Sequence, residues 1–232
     1  MTVPRLTSIH TVGTLVPVFG ALADELLPGV ERADVVDEAL LGEAIAAGHI
    51  PPATAARLET HVRTALDDGA DLVLVTCSSM GPVVDALAET HGWPLLRIDE
   101  ALADRAIETS RRIGVIATLA TTLEPTVDLI RRRADRVGPG ADALEIRSVL
   151  CEGAFAALKA GRLDEHDALV RAGLEQLLPL VDVVVLAQAS MARVAVTLDP
   201  AMTGDRPILA SPRLGMERVA ERLGSPGERR DG

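Results

Sequence analysis

Aromatic residues are almost missing from this chain, which has no tyrosine, two phenylalanines and one tryptophan among 232 residues. Nucleic-acid binders stack bases on aromatic rings beside Lys/Arg-rich patches. No such patch is present and the formal charge is −11, so nucleic acid is excluded as an expected partner. The acidity favours solubility and says little about any single pocket. Cysteine is scarce too. Cys77 and Cys151 alone build no disulfide framework, and no Cys/His spacing suits a structural zinc site, so no metal is expected. Long apolar runs are also lacking, which removes a membrane span and a membrane partner. The first residues, Met1-Thr-Val-Pro-Arg5, lack the charged-then-apolar order of a secretory signal, and a cytoplasmic location is expected. Neither Gly-x-Gly-x-x-Gly after a strand nor Gly-x-x-x-x-Gly-Lys-Ser/Thr occurs, so a nucleotide cofactor has no support.

What is present is an alternation of short apolar runs and helical periods, with an apolar share of 48%. The most informative stretch is Asp71-Leu-Val-Leu-Val-Thr76-Cys77-Ser78-Ser79-Met80-Gly81-Pro82. The run from Leu72 to Val75 stops abruptly at small polar residues, the pattern of a buried parallel strand entering a turn. Gly81-Pro82 then opens a helix, with proline in the first turn where its missing N–H costs nothing. Cys77 is thereby placed at the carboxyl end of a strand and beside a helix N-terminus. Ligands of open α/β sheets bind at such ends, and a helix N-terminus acidifies a thiol, so a thiol that takes or gives a proton is expected. The bland reading, a small buried residue, carries less weight because Ser78 and Ser79 flank it.

The stretch recurs. Asp182-Val-Val-Val-Leu-Ala187-Gln188-Ala189-Ser190-Met191 aligns with it from Asp71 without a gap, matching Asp to Asp, Ser79 to Ser190, Met80 to Met191, and Cys77 to Gln188. A repeat of one strand–turn–helix unit implies two related lobes.

In chain order, Leu6–Val12 reads as a first strand ending in His10 and Thr11, followed by a helix over 15–27. An edge-like strand over Val30–Val36 comes next, then a helix from Pro51-Pro52 to Asp68. After the Cys77 strand, Pro82 to Gly92 is helical and Trp93–Ile98 is a strand. Asp99 caps a helix to Arg111. Ile113–Ala117 is a buried strand, with Thr118, Thr121 and Thr122 after it, and Glu124-Pro125 starts the next helix. Gly138-Pro-Gly140 is a turn, Leu144–Leu150 a strand, and Glu152–Ala160 and Asp164–Leu178 are helices. Pro207–Ala210 is the last strand, and Ser211-Pro212 caps a closing helix to Leu223. The expected architecture is α/β: two similar lobes, each a parallel sheet flanked by helices, with the active site in the cleft between them. Residues 1–98 with 207–223 form the first lobe, 99–206 the second, and 224–232 a disordered tail.

Hydroxyls and amides at Thr118, Thr121 and Thr122 suit a carboxylate or phosphate, and they equally suit ordinary capping of the next helix. His10 either orients a substrate or is a satisfied core histidine. Cys151, with no polar neighbours, reads as an inert buried thiol. Arg131, Arg132 and Arg133 form a solvated helix end.

On Val75-Thr76-Cys77-Ser78-Ser79, Gly114-Val-Ile-Ala-Thr118 with its following threonines, and Leu186-Ala-Gln-Ala-Ser-Met191, the chain resembles the aspartate/glutamate racemase superfamily. That superfamily includes hydantoin racemases, maleate isomerases and arylmalonate decarboxylases. The resemblance implies two α/β lobes, no cofactor, and proton transfer at the α-carbon of a small carboxylate. It also implies a homo-oligomer. Typical racemases carry one cysteine per lobe, and Cys77 matches the first. The second position falls on Gln188, whose amide does not exchange protons at neutral pH but donates two hydrogen bonds. The implied enzyme is therefore an isomerase or decarboxylase rather than a two-cysteine racemase. Cys77 is its acid/base or nucleophile. Ser78, Ser79, Thr118, Thr121, Thr122, Gln188, Ser190 and His10 line its carboxylate site. Arylmalonate decarboxylase also keeps one cysteine, on the lobe opposite to that of Cys77. The alternative is a catalytically inactive two-lobed protein that binds small carboxylates.

Overall fold

The computed structural model of the chain describes residues 3–137 and 144–224. In chain order the elements begin with β1 (Arg5–His10), α1 (Val16–Leu26), β2 (Glu31–Val36), α2 (Glu38–Ala47), α3 (Pro52–Asp67), β3 (Leu72–Val75), α4 (Gly81–His91) and β4 (Leu95–Arg97). They continue with α5 (Glu100–Thr109), β5 (Arg112–Ala117), α6 (Ala120–Val137), β6 (Glu145–Leu150), α7 (Ala154–Lys159), α8 (Leu163–Leu177), β7 (Val183–Leu186), α9 (Ala192–Ala195), α10 (Pro200–Thr203), β8 (Ile208–Ala210) and α11 (Ser211–Gly224). Every strand pair is parallel, in two sheets of four strands ordered β2-β1-β3-β4 and β6-β5-β7-β8. The chain divides into two compact units. One runs to Ile98 and takes up the chain again from Pro212, and the other is Asp99–Ser211.

Parallel strands buried on both faces need uninterrupted apolar runs. The central strands supply them: Leu72–Val75 and Val183–Val185 are 3% exposed or less. In the first unit one sheet face packs Leu6, Leu72, Leu74 and Leu96 against Phe19 and Ala23 of α1 and Met216 and Val219 of α11. In the second, Ile116, Val184 and Leu186 pack on Val170, Leu174 and Leu177 of α8. The repeated aspartate has a structural job at the amino end of each sheet. The Asp71 N–H donates to the Arg5 carbonyl at 2.8 Å and the Arg5 N–H to Asp71 Oδ2 at 2.8 Å. The Asp182 N–H donates to the Arg112 carbonyl at 2.9 Å, while the Arg112 guanidinium lies 3.2 Å from Asp182 Oδ1. The single tryptophan, Trp93, lies stacked on His91 in the first unit, with ring centroids 4.1 Å apart.

The structure differs from the sequence reading in several places. Strand β8, expected in the first lobe, pairs with β7 (Val184 with Ile208, Leu186 with Ala210), so it belongs to the second unit and only α11 returns to the first. Helix α6 begins at Ala120 rather than at Glu124-Pro125, so Pro125 lies inside it. Thr121 and Thr122 are therefore first-turn residues, and the Thr121 carbonyl lacks its i+4 helical donor, because proline has no N–H. Helix α2, which the sequence reading omits, is capped by Asp37, whose Oδ1 accepts the Ala39 N–H at 3.1 Å. Finally, Gly224, expected to start the tail, ends α11. The expected turn at Gly138–Gly140 and the tail over 225–232 lie outside the described residues.

Candidate active site

Strand register sets the site in each unit. Ile9 pairs with Val75, and Ile116 pairs with Leu186. Two residues beyond each pair stand Thr11 with Cys77, and Thr118 with Gln188. The backbone continues alike in both: Thr76 N–H to the Ile9 carbonyl at 3.0 Å, and Ala187 N–H to the Ile116 carbonyl at 3.0 Å. Cys77 and Gln188 are each extended (φ −120° and −134°), and each precedes a 3-10 turn, Ser78–Met80 or Ala189–Met191, that leads into a helix. The internal repeat read from the sequence is thus reproduced residue for residue in the backbone.

At the first unit's strand ends, the Cys77 sulfur is buried under its own turn, with 8% of the residue exposed. Burial pushes the thiol above its ordinary value. Against it act the Thr11 hydroxyl, the Met80 and Ser79 N–H groups and the Ser79 hydroxyl, all hydrogen-bonded to the sulfur. Burial wins, and the thiol is held protonated at neutral pH. This corrects the expectation of an acidified thiol. The helix N-terminus does supply donors, but desolvation outweighs them. Thr11, which the sequence reading left out of the site, contributes the foremost of those donors. Ser78 is buried at the start of the turn.

His10 is fully buried, with both ring nitrogens engaged: Nε2 lies 3.0 Å from Asp34 Oδ1 and Nδ1 lies 3.0 Å from Thr76 Oγ1. That arrangement is the satisfied histidine, holding the residue next to Cys77 rather than offering a free nitrogen to a ligand.

In the second unit, Gln188 Oε1 accepts the Thr118 N–H at 2.6 Å and the Thr118 hydroxyl at 2.8 Å. A backbone N–H can only donate, so the oxygen is fixed on that side. The Nε2 amide then points away from Thr118 with both its hydrogens unpartnered among the described residues. Thr118 is occupied in orienting Gln188, not open for a carboxylate. In the first turn of α6 the Thr121 Oγ1 is buried with no partner among the described residues. Thr122 is buried beside it, its carbonyl accepting the Thr126 hydroxyl at 2.9 Å. Ser190 is half-buried in the turn after Gln188. Cys151 follows β6 but lies in the apolar core, where burial pushes its thiol up to about 11. A Cβ added at Gly173 of α8 would sit 2.7 Å from its sulfur. Among the described residues no group of three or more His, Cys, Asp and Glu side chains is placed to hold a metal ion, and no helix is long and apolar enough to cross a membrane.

The model of the Asp/Glu/hydantoin racemase family matches residues 17–219. The chain belongs to the Asp/Glu/hydantoin racemase family. The match starts beyond β1, so His10 and Thr11 lie ahead of it. No curated protein sequence matches the chain significantly. Among solved structures the fold is shared with racemases and a decarboxylase. A glutamate racemase isoform from Bacillus anthracis has a TM-score of 0.67 at 15% identity, over 97% of this chain and 83% of that one. The allantoin racemase from Klebsiella pneumoniae has a TM-score of 0.66 at 18% identity, over 96% and 88%. An unliganded arylmalonate decarboxylase has a TM-score of 0.53 at 19% identity, over 99% and 96%. At these identities the likeness is one of fold.

Proposed function

We propose that the chain is a cofactor-independent enzyme that moves a proton at the α-carbon of a small carboxylate, with Cys77 as the proton-transfer group. The observation that carries this is the convergence on one buried sulfur of the Thr11 hydroxyl, the Met80 and Ser79 N–H groups and the Ser79 hydroxyl. A neutral thiol needs little from such donors. A thiolate needs them strongly, because hydrogen bonds to a charged acceptor are about twice as strong as neutral ones. These donors thus offset part of the desolvation cost of the state formed after the thiol has given its proton.

Donation then runs as follows. In a decarboxylation, the bond from the α-carbon to a departing CO2 breaks and its electron pair enters the remaining carboxyl group, forming an enediolate. The Cys77 S–H proton then passes to the α-carbon, and the thiolate is later reprotonated from solvent. In an isomerisation the minor thiolate form of Cys77 removes a proton from the substrate, and the thiol so formed gives that proton back to the same substrate. Gln188 Nε2 and Ser190 serve as donors to the carboxylate or enediolate oxygens, with Thr118 acting through Gln188. Ser78, Thr121 and Thr122 complete the carboxylate anchors. An amide at position 188 cannot return a proton, which favours chemistry from one side, isomerase or decarboxylase, over two-thiol racemisation. The family membership and the fold shared with racemases and with a decarboxylase support the reaction class.

The test is proton NMR in D2O with wild type and Cys77→Ala against dicarboxylates, hydroxy acids, amino acids and substituted malonates. Deuterium incorporation by wild type alone is the expected isomerase outcome, and product with loss of CO2 the expected decarboxylase outcome. Exchange that survives in Cys77→Ala refutes the role of Cys77. Silence across the panel, with thermal stabilisation by one member, makes the protein a carboxylate binder instead.

A further inference from the structure

We propose that Arg97 is a positioning residue for the Cys77 thiol, acting through the first turn of α4; the functional weight of this assignment rests on the proton-transfer reading above. Arg97 ends β4 opposite Val75, two residues before Cys77. Only 1% of it is exposed. A charge so far removed from water is costly unless it is paired. Its Nη1 donates to Asp85 Oδ2 at 2.6 Å. Asp85 stands one turn beyond Gly81 on α4, so the two share a helix face.

The guanidinium lies flat across that face. A Cβ built on Gly81 would fall 2.2 Å from Arg97 Cζ, 2.2 Å from Nη2 and 2.7 Å from Nε. Three atoms of one rigid plane at such distances mean that only a glycine fits beneath it. The contact thus clamps α4 at its first residue from above and, through Asp85, one turn later. Immediately before Gly81 comes the Ser78–Met80 turn, whose Ser79 and Met80 N–H groups point at the sulfur. That turn also closes on itself, with the Met80 N–H donating to the Cys77 carbonyl at 3.1 Å. A buried ion pair is a weak source of stability compared with an apolar pair of similar volume. A planar fork fixed at one end by a carboxylate is well suited to hold a helix start in register.

The discriminating readout is the pH profile of Cys77 alkylation by iodoacetamide, followed by mass spectrometry of the Cys77 peptide in the full chain. It needs no substrate, so it stands whether or not Cys77→Ala abolishes proton exchange. The variants are Arg97→Met combined with Asp85→Leu, which removes both charges of the pair together, and Gly81→Ala, which keeps both charges but displaces the guanidinium. Arg97→Lys keeps the charge without the fork. With the donors misaligned and the sulfur still buried, the midpoint of alkylation moves to higher pH. At pH 8 the rate falls roughly tenfold, the worth of one hydrogen bond to a charged group. Arg97→Lys falls between wild type and the double variant. A general loosening would instead expose the sulfur, remove its desolvation and lower the midpoint. A folded double variant with an unchanged or lowered midpoint overturns the proposal. Should the double variant not fold, Gly81→Ala decides on the same readout, a raised midpoint supporting the proposal and any other overturning it.

Discussion

Replacing Thr11 by valine removes one hydroxyl from the shell around the Cys77 sulfur and leaves nearly the same volume. Thr11 is 4% exposed and its hydroxyl is the leading hydrogen-bond contribution opposing desolvation of the thiol. The two protonation states feel the loss unequally. A neutral thiol is a weak hydrogen-bonding group, so folding stability at pH 7 changes by less than about 1 kcal/mol. A thiolate loses a charge-assisted bond worth about 1.5 kcal/mol or more, and each 1.36 kcal/mol is a factor of ten in thiolate population. Below the midpoint the alkylation rate follows that population. Thr11→Val is therefore expected to slow iodoacetamide labelling of Cys77 about tenfold at pH 8. The thermal midpoint should stay within a few degrees of wild type. The assay is the labelling rate of the Cys77 peptide from pH 6 to 10.5, beside a thermal melt. An unchanged labelling profile in a folded Thr11→Val protein would refute the claim that this hydroxyl serves the thiolate. So would a loss of stability with no change in labelling, since that places the hydroxyl in the neutral state instead.

Further outcomes follow from the same geometry. By the repeat, the new sulfur of Gln188→Cys is expected to meet the Thr118 hydroxyl as Cys77 meets that of Thr11, so its labelling midpoint should lie below that of Cys151, at about 11; equal midpoints on peptide mapping would contradict the equivalence of the two strand ends. Asp37 is partly desolvated, which raises its carboxyl, but bonding from His61 and the charge of Arg57 prevail and hold it below the usual value. A carboxyl lowered in the fold contributes stability above its unfolded value near 3.9, lost as pH falls through the lower folded value. The stability gap between wild type and Asp37→Asn, measured in urea, should thus be largest at neutral pH and shrink below about pH 4. Gly215→Ala on α11 would gain about 1 kcal/mol of helix propensity. Its Cβ would meet the Ile98 carbonyl oxygen at 2.6 Å and Ile98 Cδ1 at 2.4 Å, an overpacking cost of about 1–3 kcal/mol. A net loss in thermal stability is expected, and a gain would show that the Ile98 backbone yields. Cys151→Ser buries a hydroxyl in an apolar cluster and should cost about 1–3 kcal/mol in chemical denaturation while leaving deuterium exchange intact; loss of exchange in a stable protein would bring Cys151 into the chemistry.

The α/β alternation was legible because the central strands are short apolar runs ending in small polar residues, a pattern that a buried parallel strand imposes. The gapless repeat around Cys77 and Gln188 was legible for the same reason. Helix α2 was not, because Leu40, Leu41 and Ala44 face the core while Ala39, Gly42 and Ile45 blur the apolar stripe. The start of α6 was misread because a proline after a glutamate imitates a first turn, whereas here the helix tolerates one missing bond at Thr121. The three residues of β8 carry too little pattern to name a neighbour, and pairing with β7 is decided by register. At the site, Cys77 and Gln188 were marked by the repeat, yet Thr11 was not, although its counterpart Thr118 was already singled out. Carrying the repeat back to β1 would have found it. Arg97 left a fainter trace, a lone charge inside Leu95-Leu96-Arg97-Ile98. The net elevation of the Cys77 thiol had no sequence signal at all, since it depends on how deeply the turn buries the sulfur.

The near absence of aromatic residues gives the first unit an optical address of its own. Trp93, stacked on His91, is the only indole in the chain, and it belongs to the first unit. The second unit has neither tryptophan nor tyrosine and is dark at 295 nm excitation. Emission therefore reports the melting of the first unit alone, while far-ultraviolet dichroism sums the helices of both. Superimposable curves from the two probes mean that the units unfold as one cooperative body. Separated curves give the stability of each unit from a single unlabelled sample.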